Sequence, residues 1–194
     1  MSSGAASRTE IRITGFGGQG VVLAAHIIGR AYAINADGHA TMIQSFGPEA
    51  RGSTCSATLV VSNRAVLYPY IKSPDIFVVM SSEGYEKFRD ELKEHGTLIY
   101  EQDLVKPILR EGQRAFGVPS TRIAESLGRT IVQNIVMVGF VTAVTGIVSV
   151  ELMREAVRSS VPAGTEKLNL DAFDAGVRFF EESIAARVPA EVTS

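Results

Sequence analysis

The sequence predicts an α/β fold, a mixed sheet flanked by helices with a helical C-terminal part. Three observations carry this. A strand, a glycine turn and a helix start follow one another at "TGFGGQGVV", Thr14 to Val22. An unbroken apolar run, Ile76 to Met80, has the composition a parallel strand needs when both its faces are buried. From Pro119 the pattern is helical to the end, so strands and helices alternate first and helices accumulate last.

The elements follow in order. Ile11 to Thr14 is a first strand, with Ile11 and Ile13 on one face. The helix after the glycine loop runs from about Gly18 to Ile34 and places Val21, Ala24, Ala25 and Ile28 on one side. Asp37-Gly38 is a turn. "HATMIQSF" is a second strand ending at Phe46, and "GPEARGS" has too many turn formers to continue it. "TCSATLVVS" is a third strand rich in β-formers, closed by a turn at Asn63-Arg64. "AVLYPYI" reads as a short fourth strand ended by Pro69, and its position predicts a hairpin with the third. "DIFVVMSS" is the buried parallel strand, and a charged helix follows from about Glu83 to Lys93. "TLIYE" and "QRAFGV" are two more strands. Ser120 caps a helix ending near Gly128, and an uncharged helix comes next. Helices over Val150 to Arg158 and Leu170 to Ile184 complete the chain. The domain spans residues 10–186, with flexible tails at 1–9 and 187–194.

Composition narrows the function classes. The chain has 194 residues, 45% of them hydrophobic, with a net charge of -2. It has neither the basic excess of a nucleic-acid binder nor a lysine or arginine cluster suited to an anionic membrane. The single cysteine, Cys55, cannot build a disulfide, an iron–sulfur site or a zinc–thiolate site alone, and it fits a reducing, cytoplasmic compartment. His26, His39 and His95 show no metal-ligand spacing.

Thr130 to Val150 carries no charge and is long enough to raise the question of a membrane span. Gln133 and Asn134 lie inside it, Thr145-Gly146 reads as a helix stop, and Ser149 before Glu151 reads as the next N-cap. The helix left is about 14 residues, roughly 21 Å, against the ~30 Å of a bilayer core. Burial in a core or against a partner subunit fits better.

Gly15, Gly17 and Gly20 have the spacing G-x-G-x-x-G, with Gly18 and Gln19 between them. A strand, a glycine turn and a helix amino end gather free backbone N–H groups around one point, where the helix dipole adds positive potential. Gly15 allows the tight turn, Gly17 a close approach to the backbone, Gly20 packing of helix on strand, and Gln19 places an amide at the loop mouth. A dinucleotide site also needs an acid at the end of the second strand, about 20 residues on. That strand ends Ile43-Gln44-Ser45-Phe46, with Asp37 before it and Glu49 beyond it. A stand-alone NAD- or FAD-binding oxidoreductase domain is thus the alternative with half its fingerprint.

A second cluster, "SFGPEARGS", follows the second strand. Pro48 fixes its φ, and Gly47 and Gly52 admit unusual backbone. Arg51 offers a planar fork for phosphate or carboxylate, and Glu49 can orient it or meet a cation on another chain.

"GFGGQGVVLAA", "SFGPEARGS", "PDIFVVMSSEGYEKF" and "NIVMVGFVTAVTG", in this order, resemble the gamma subunit, or gamma domain, of the 2-oxoacid:acceptor (ferredoxin-type) oxidoreductases. The resemblance runs from about Arg12 to Ile184. Ser53 departs from it, because the family more often has glycine there. The resemblance implies a Rossmann-like domain inside a multi-subunit enzyme. Thiamine diphosphate and magnesium would lie between alpha and beta chains, and iron–sulfur clusters on beta or delta chains. CoA would accept the acyl group, and electrons would leave to ferredoxin or another acceptor. The chain's lone cysteine and its lack of a thiamine-binding G-D-G motif agree that it does not perform this chemistry alone. It implies two roles for the gamma chain, completing the active-site cleft for CoA and holding the complex together. The residues expected to serve them are Gly15, Gly17, Gly18, Gln19 and Gly20, for phosphate of CoA or a subunit contact. Ser45, Phe46, Gly47, Pro48, Glu49 and Arg51 are expected at an interface or at CoA.

Overall fold

A computed structural model describes residues 7–46 and 54–186. Six strands form one mixed sheet: β1 (Arg8–Phe16), β2 (His39–Phe46), β3 (Thr54–Ser62), β4 (Ile76–Val79), β5 (Thr97–Glu101) and β6 (Arg114–Val118). Their order is β2-β3-β1-β4-β5-β6. β3 lies antiparallel between β1 and β2, while β1, β4, β5 and β6 run parallel. Six α-helices accompany them: α1 (Val21–Arg30), α2 (Ser82–Phe88), α3 (Ser120–Ser126), α4 (Gln133–Thr145), α5 (Val150–Ser160) and α6 (Glu166–Ala185).

The alternation of β1 divides the molecule into two layers. Ile11 and Ile13 are fully buried beneath α1, α4, α5 and α6 in the large core. Arg12 and Thr14 point to the other face, where a smaller core of Phe77, Val79, Tyr85, Leu92, Leu98 and Val105 forms under α2. Arg12 is buried there at 8% exposure because Glu91 pairs with it and the Phe88 ring lies 4.2 Å from its guanidinium carbon. β4 is apolar throughout because both layers cover it.

Several expectations are corrected. Ala65 to Ile71 forms no strand. β3 is already paired along both edges, so no edge is left for a following strand. Pro69 also removes a donor, and Leu67 is 93% exposed. The mixed sheet comes instead from the β2–β3 hairpin and the β1–β3 pair. α1 begins at Val21 because Gly18 and Gly20 adopt φ of 97° and 75°, outside the helical region. It loosens into a wider turn at Ala31–Asn35 before the predicted end. The charged helix is shorter than expected and gives way to a 3-10 turn at Arg89–Glu91. Ser120 lies inside α3, and Pro119 is the cap. The Ser120 hydroxyl donates instead to the buried Glu101 carboxylate, which also accepts from the Thr121 N–H at 3.0 Å. α6 starts at Glu166, ahead of Leu170. Arg8 and Thr9, expected in the tail, pair with Ser62 and Val61.

The uncharged helix is α4, buried continuously from Asn134 to Thr142 within this chain's own core. Gly146 ends it with a φ of 58°, and the Ser149 hydroxyl accepts from Leu152 N–H to start α5. Among the described residues no helix is long and apolar enough to cross a membrane.

Candidate functional site

The glycine loop leaves the carboxyl end of β1 and enters α1. α1 packs on one face of the sheet and α2 on the other, so the chain diverges between β1 and β4. In α/β sheets such a divergence opens a crevice at the carboxyl ends of the strands. Here Gln19 spans it. Its Oε1 accepts from Phe16 N–H at 2.7 Å and its Nε2 donates to Met80 O at 3.1 Å. The amide expected at the loop mouth is therefore spent as a strut between the loop and β4. Gly15 makes room for that strut: a Cβ on it would lie 2.6 Å from Gln19 Oε1.

The outer part of the loop is open. Gly17 and Gly18 are exposed, and a Cβ on Gly18 would meet nothing within 4 Å. Gly20 caps α1 in the left-handed conformation, with no side-chain cap and no acid in the first helical turn. The amino end of α1 thus keeps its positive potential unopposed. Behind Gly20 lies Asn134 of α4, whose Nδ2 donates to Gly20 O at 3.3 Å. A Cβ on Gly20 would fall 2.3 Å from that nitrogen.

Sheet register brings the second cluster to the same edge. Gly15 and Phe16 pair with Cys55 and Thr54, and Ser45 and Phe46 pair with Ser56 and Cys55. The ends of β2 and β3 that flank "GPEARGS" in sequence therefore lie beside the start of the glycine loop, with Ser45 exposed. Gly47, Pro48, Glu49 and Arg51 lie outside the described residues. The same topology argues against the dinucleotide alternative. β2 is separated from β1 by β3, about 9–10 Å at two strand spacings, and the β2 end offers Ser45 where an acid would be required.

Sequence reasoning missed the other wall of the loop. A cleft of about 590 Å³ opens beside Gly18 and Gly20, with Arg129, Ile131, Asn134 and Leu168 among its walls. The signal was present, since Asn134 is an amide inside an otherwise apolar run, but that oddity argued only against a membrane span. Cys55 is buried, and burial pushes its thiol up from its ordinary value, which suits packing rather than nucleophilic work. His26, His39 and His95 are exposed, and no group of three metal-ligating side chains gathers among the described residues.

The model of one family, pyruvate ferredoxin/flavodoxin oxidoreductase, matches residues 10–179. The chain belongs to that family. It is similar to the 2-oxoglutarate synthase subunit KorC of Methanothermobacter thermautotrophicus, with 46% identity over 176 residues, 87% of this chain and 93% of that one. Its fold matches the keto/oxoacid ferredoxin oxidoreductase gamma subunit of Geobacter sulfurreducens PCA at a TM-score of 0.79 and 35% identity. That likeness covers 91% of this chain and 99% of the other. The fold also matches, at a TM-score of 0.81, part of the 2-oxoglutarate:ferredoxin oxidoreductase of Magnetococcus marinus, solved with 2-oxoglutarate, coenzyme A and succinyl-CoA bound. There the identity is 22%, over 90% of this chain and 31% of the longer one. Within its family the chain is therefore of the gamma-subunit type, an oxidoreductase subunit and not a free-standing dinucleotide-binding domain.

Proposed function

We propose that this chain is the gamma subunit of a cytoplasmic, thiamine-diphosphate-dependent oxidoreductase that converts a 2-oxoacid and CoA to acyl-CoA and carbon dioxide. Two electrons pass to ferredoxin or another acceptor. The 2-oxoacid is 2-oxoglutarate, the substrate named for the 46%-identical KorC relative. Alpha and beta companions hold thiamine diphosphate and magnesium, and cluster-bearing chains carry the electrons. Thiamine diphosphate supplies the stabilised carbanion that decarboxylation leaves.

This chain's domain, residues 10–186, supplies position rather than chemistry. The exposed Gly17 and Gly18, next to the uncapped amino end of α1, can receive a phosphate of CoA. Gln19 holds the loop against β4 so that it need not reorganise. Arg51 and Glu49 lie in sequence between β2 and β3, and Arg51 adds a guanidinium for the same anion. The observation that carries this reading is the uncapped, acid-free amino end of α1 under an exposed glycine loop.

Steady-state kinetics of the assembled enzyme test it. Arg51→Ala is expected to raise the KM for CoA with the KM for the 2-oxoacid unchanged. Loss of one charge-assisted hydrogen bond costs about 1.5–3 kcal/mol, roughly ten- to a hundredfold. An unchanged CoA KM removes the CoA role. A higher kcat/KM for pyruvate than for 2-oxoglutarate removes the substrate assignment.

A further inference from the structure

The cleft beside the glycine loop is built like a receptor. Two asparagines, Asn134 at 3% exposure and Asn169 at 8%, are buried in its walls. The Asn134 Nδ2 is held by Gly20 O, and the Asn169 Nδ2 by Thr165 O at 2.9 Å and Thr165 Oγ1 at 3.1 Å. Those bonds fix both amides and leave both Oδ1 atoms without a donor among the described residues. Neither oxygen is among the buried atoms left without a partner, so each is open to solvent and to a partner that brings N–H or O–H groups. Between them the walls are apolar, from Leu23, Val161 and Leu168.

The charge of the cleft has one sign. Its lining contains Arg129 and no aspartate or glutamate. Arg129 is exposed and meets no carboxylate among the described residues. α1 and α4 both begin at the cleft without a side-chain cap or an acid in their first turns. Glu166, which follows Thr165 of the wall, is spent on the Gly164 N–H at 2.7 Å. One wall of the cleft is Ile131, a large aliphatic side chain at 76% exposure. An extended polypeptide would cover Ile131 together with the apolar wall and meet Arg129 with a carboxylate.

We propose that this cleft docks an extended segment of a companion subunit, its main-chain N–H groups on the two asparagine oxygens, an aliphatic side chain against Leu23 and Leu168, and a carboxylate on Arg129. The contact places the seam between subunits directly behind Gly20. Asn134 therefore touches both the docked segment and the glycine loop.

Co-expression of the full chain with its companion subunits tests this. A photo-crosslinking residue at Ile131 is expected to form adducts with one companion segment that carries an aliphatic residue and an Asp or Glu. Ile131→Glu and Arg129→Glu are each expected to lower the yield of assembled complex about tenfold, as for a truncated interface anchor. Both positions are exposed, so the free variants are expected to melt at the wild-type temperature. Assembly of the wild-type chain separates this inference from the subunit reading on which it rests. Wild-type yield from both variants, or adducts scattered over no single segment, overturns it. Cleft amides other than that of Gly18 that still exchange freely in the complex, and are protected only when CoA is added, also overturn it, because the cleft then belongs to a small molecule.

Discussion

Glycines serve opposite ends in two regions of this molecule. In the loop between β1 and α1 they create a conformation, since Gly18 and Gly20 sit at positive φ and Gly17 and Gly18 face water. Between α4 and α6 they remove a side chain. A Cβ on Gly139 would lie 2.1 Å from Phe173 O, and one on Gly176 would lie 2.1 Å from Val136 O. Neither of those helical glycines has a positive φ. One region needs the freedom of glycine and the other its size. The loop spends stability to display amides, while the helix pair gains stability by bringing two backbones together.

Substitution by alanine separates the two uses. The largest effect is expected at Gly139. Its clash is with backbone that cannot rotate away, so Gly139→Ala should destabilise the chain by about 3 kcal/mol, the upper end for overpacking, read from the denaturant midpoint. A cost no greater than that at Gly18 would break the comparison. Gly20 lies between the classes because it has both the positive φ and a close neighbour, the Asn134 amide. Gly20→Ala should cost about 2 kcal/mol, and combining it with Asn134→Ala should recover the steric part alone. Gly18→Ala should be the mildest, at about 1 kcal/mol from its φ alone, because open space surrounds it. Its larger consequence is expected in the assembled enzyme, as a weaker response to CoA at near-normal stability.

The parts legible in the sequence were those whose cause is local. The G-x-G-x-x-G spacing, the apolar run of β4, the Gly146 stop and the Ser149 cap each depend on a few consecutive residues. The strand expected at Ala65 to Ile71 failed because its composition is permissive while its pairing is not local, both edges of β3 being occupied. Gln19 stands out in the glycine loop, but its direction depends on Met80, far along the chain and adjacent only through the sheet. Arg129, Ile131 and Asn169 carry no motif at all, and they share one cleft only because the folded chain brings them together beside Gly18 and Gly20.

The sequence by itself determined most of the element types, the presence of a glycine loop after the first strand and the family to which the chain belongs. All three are written in short stretches, where backbone preference and side-chain period act between near neighbours. Tertiary structure alone decided the strand order, the single edge that the two motifs share and the cleft behind Gly20. Those features depend on which distant surfaces bury one another, and that is a property of the folded chain as a whole.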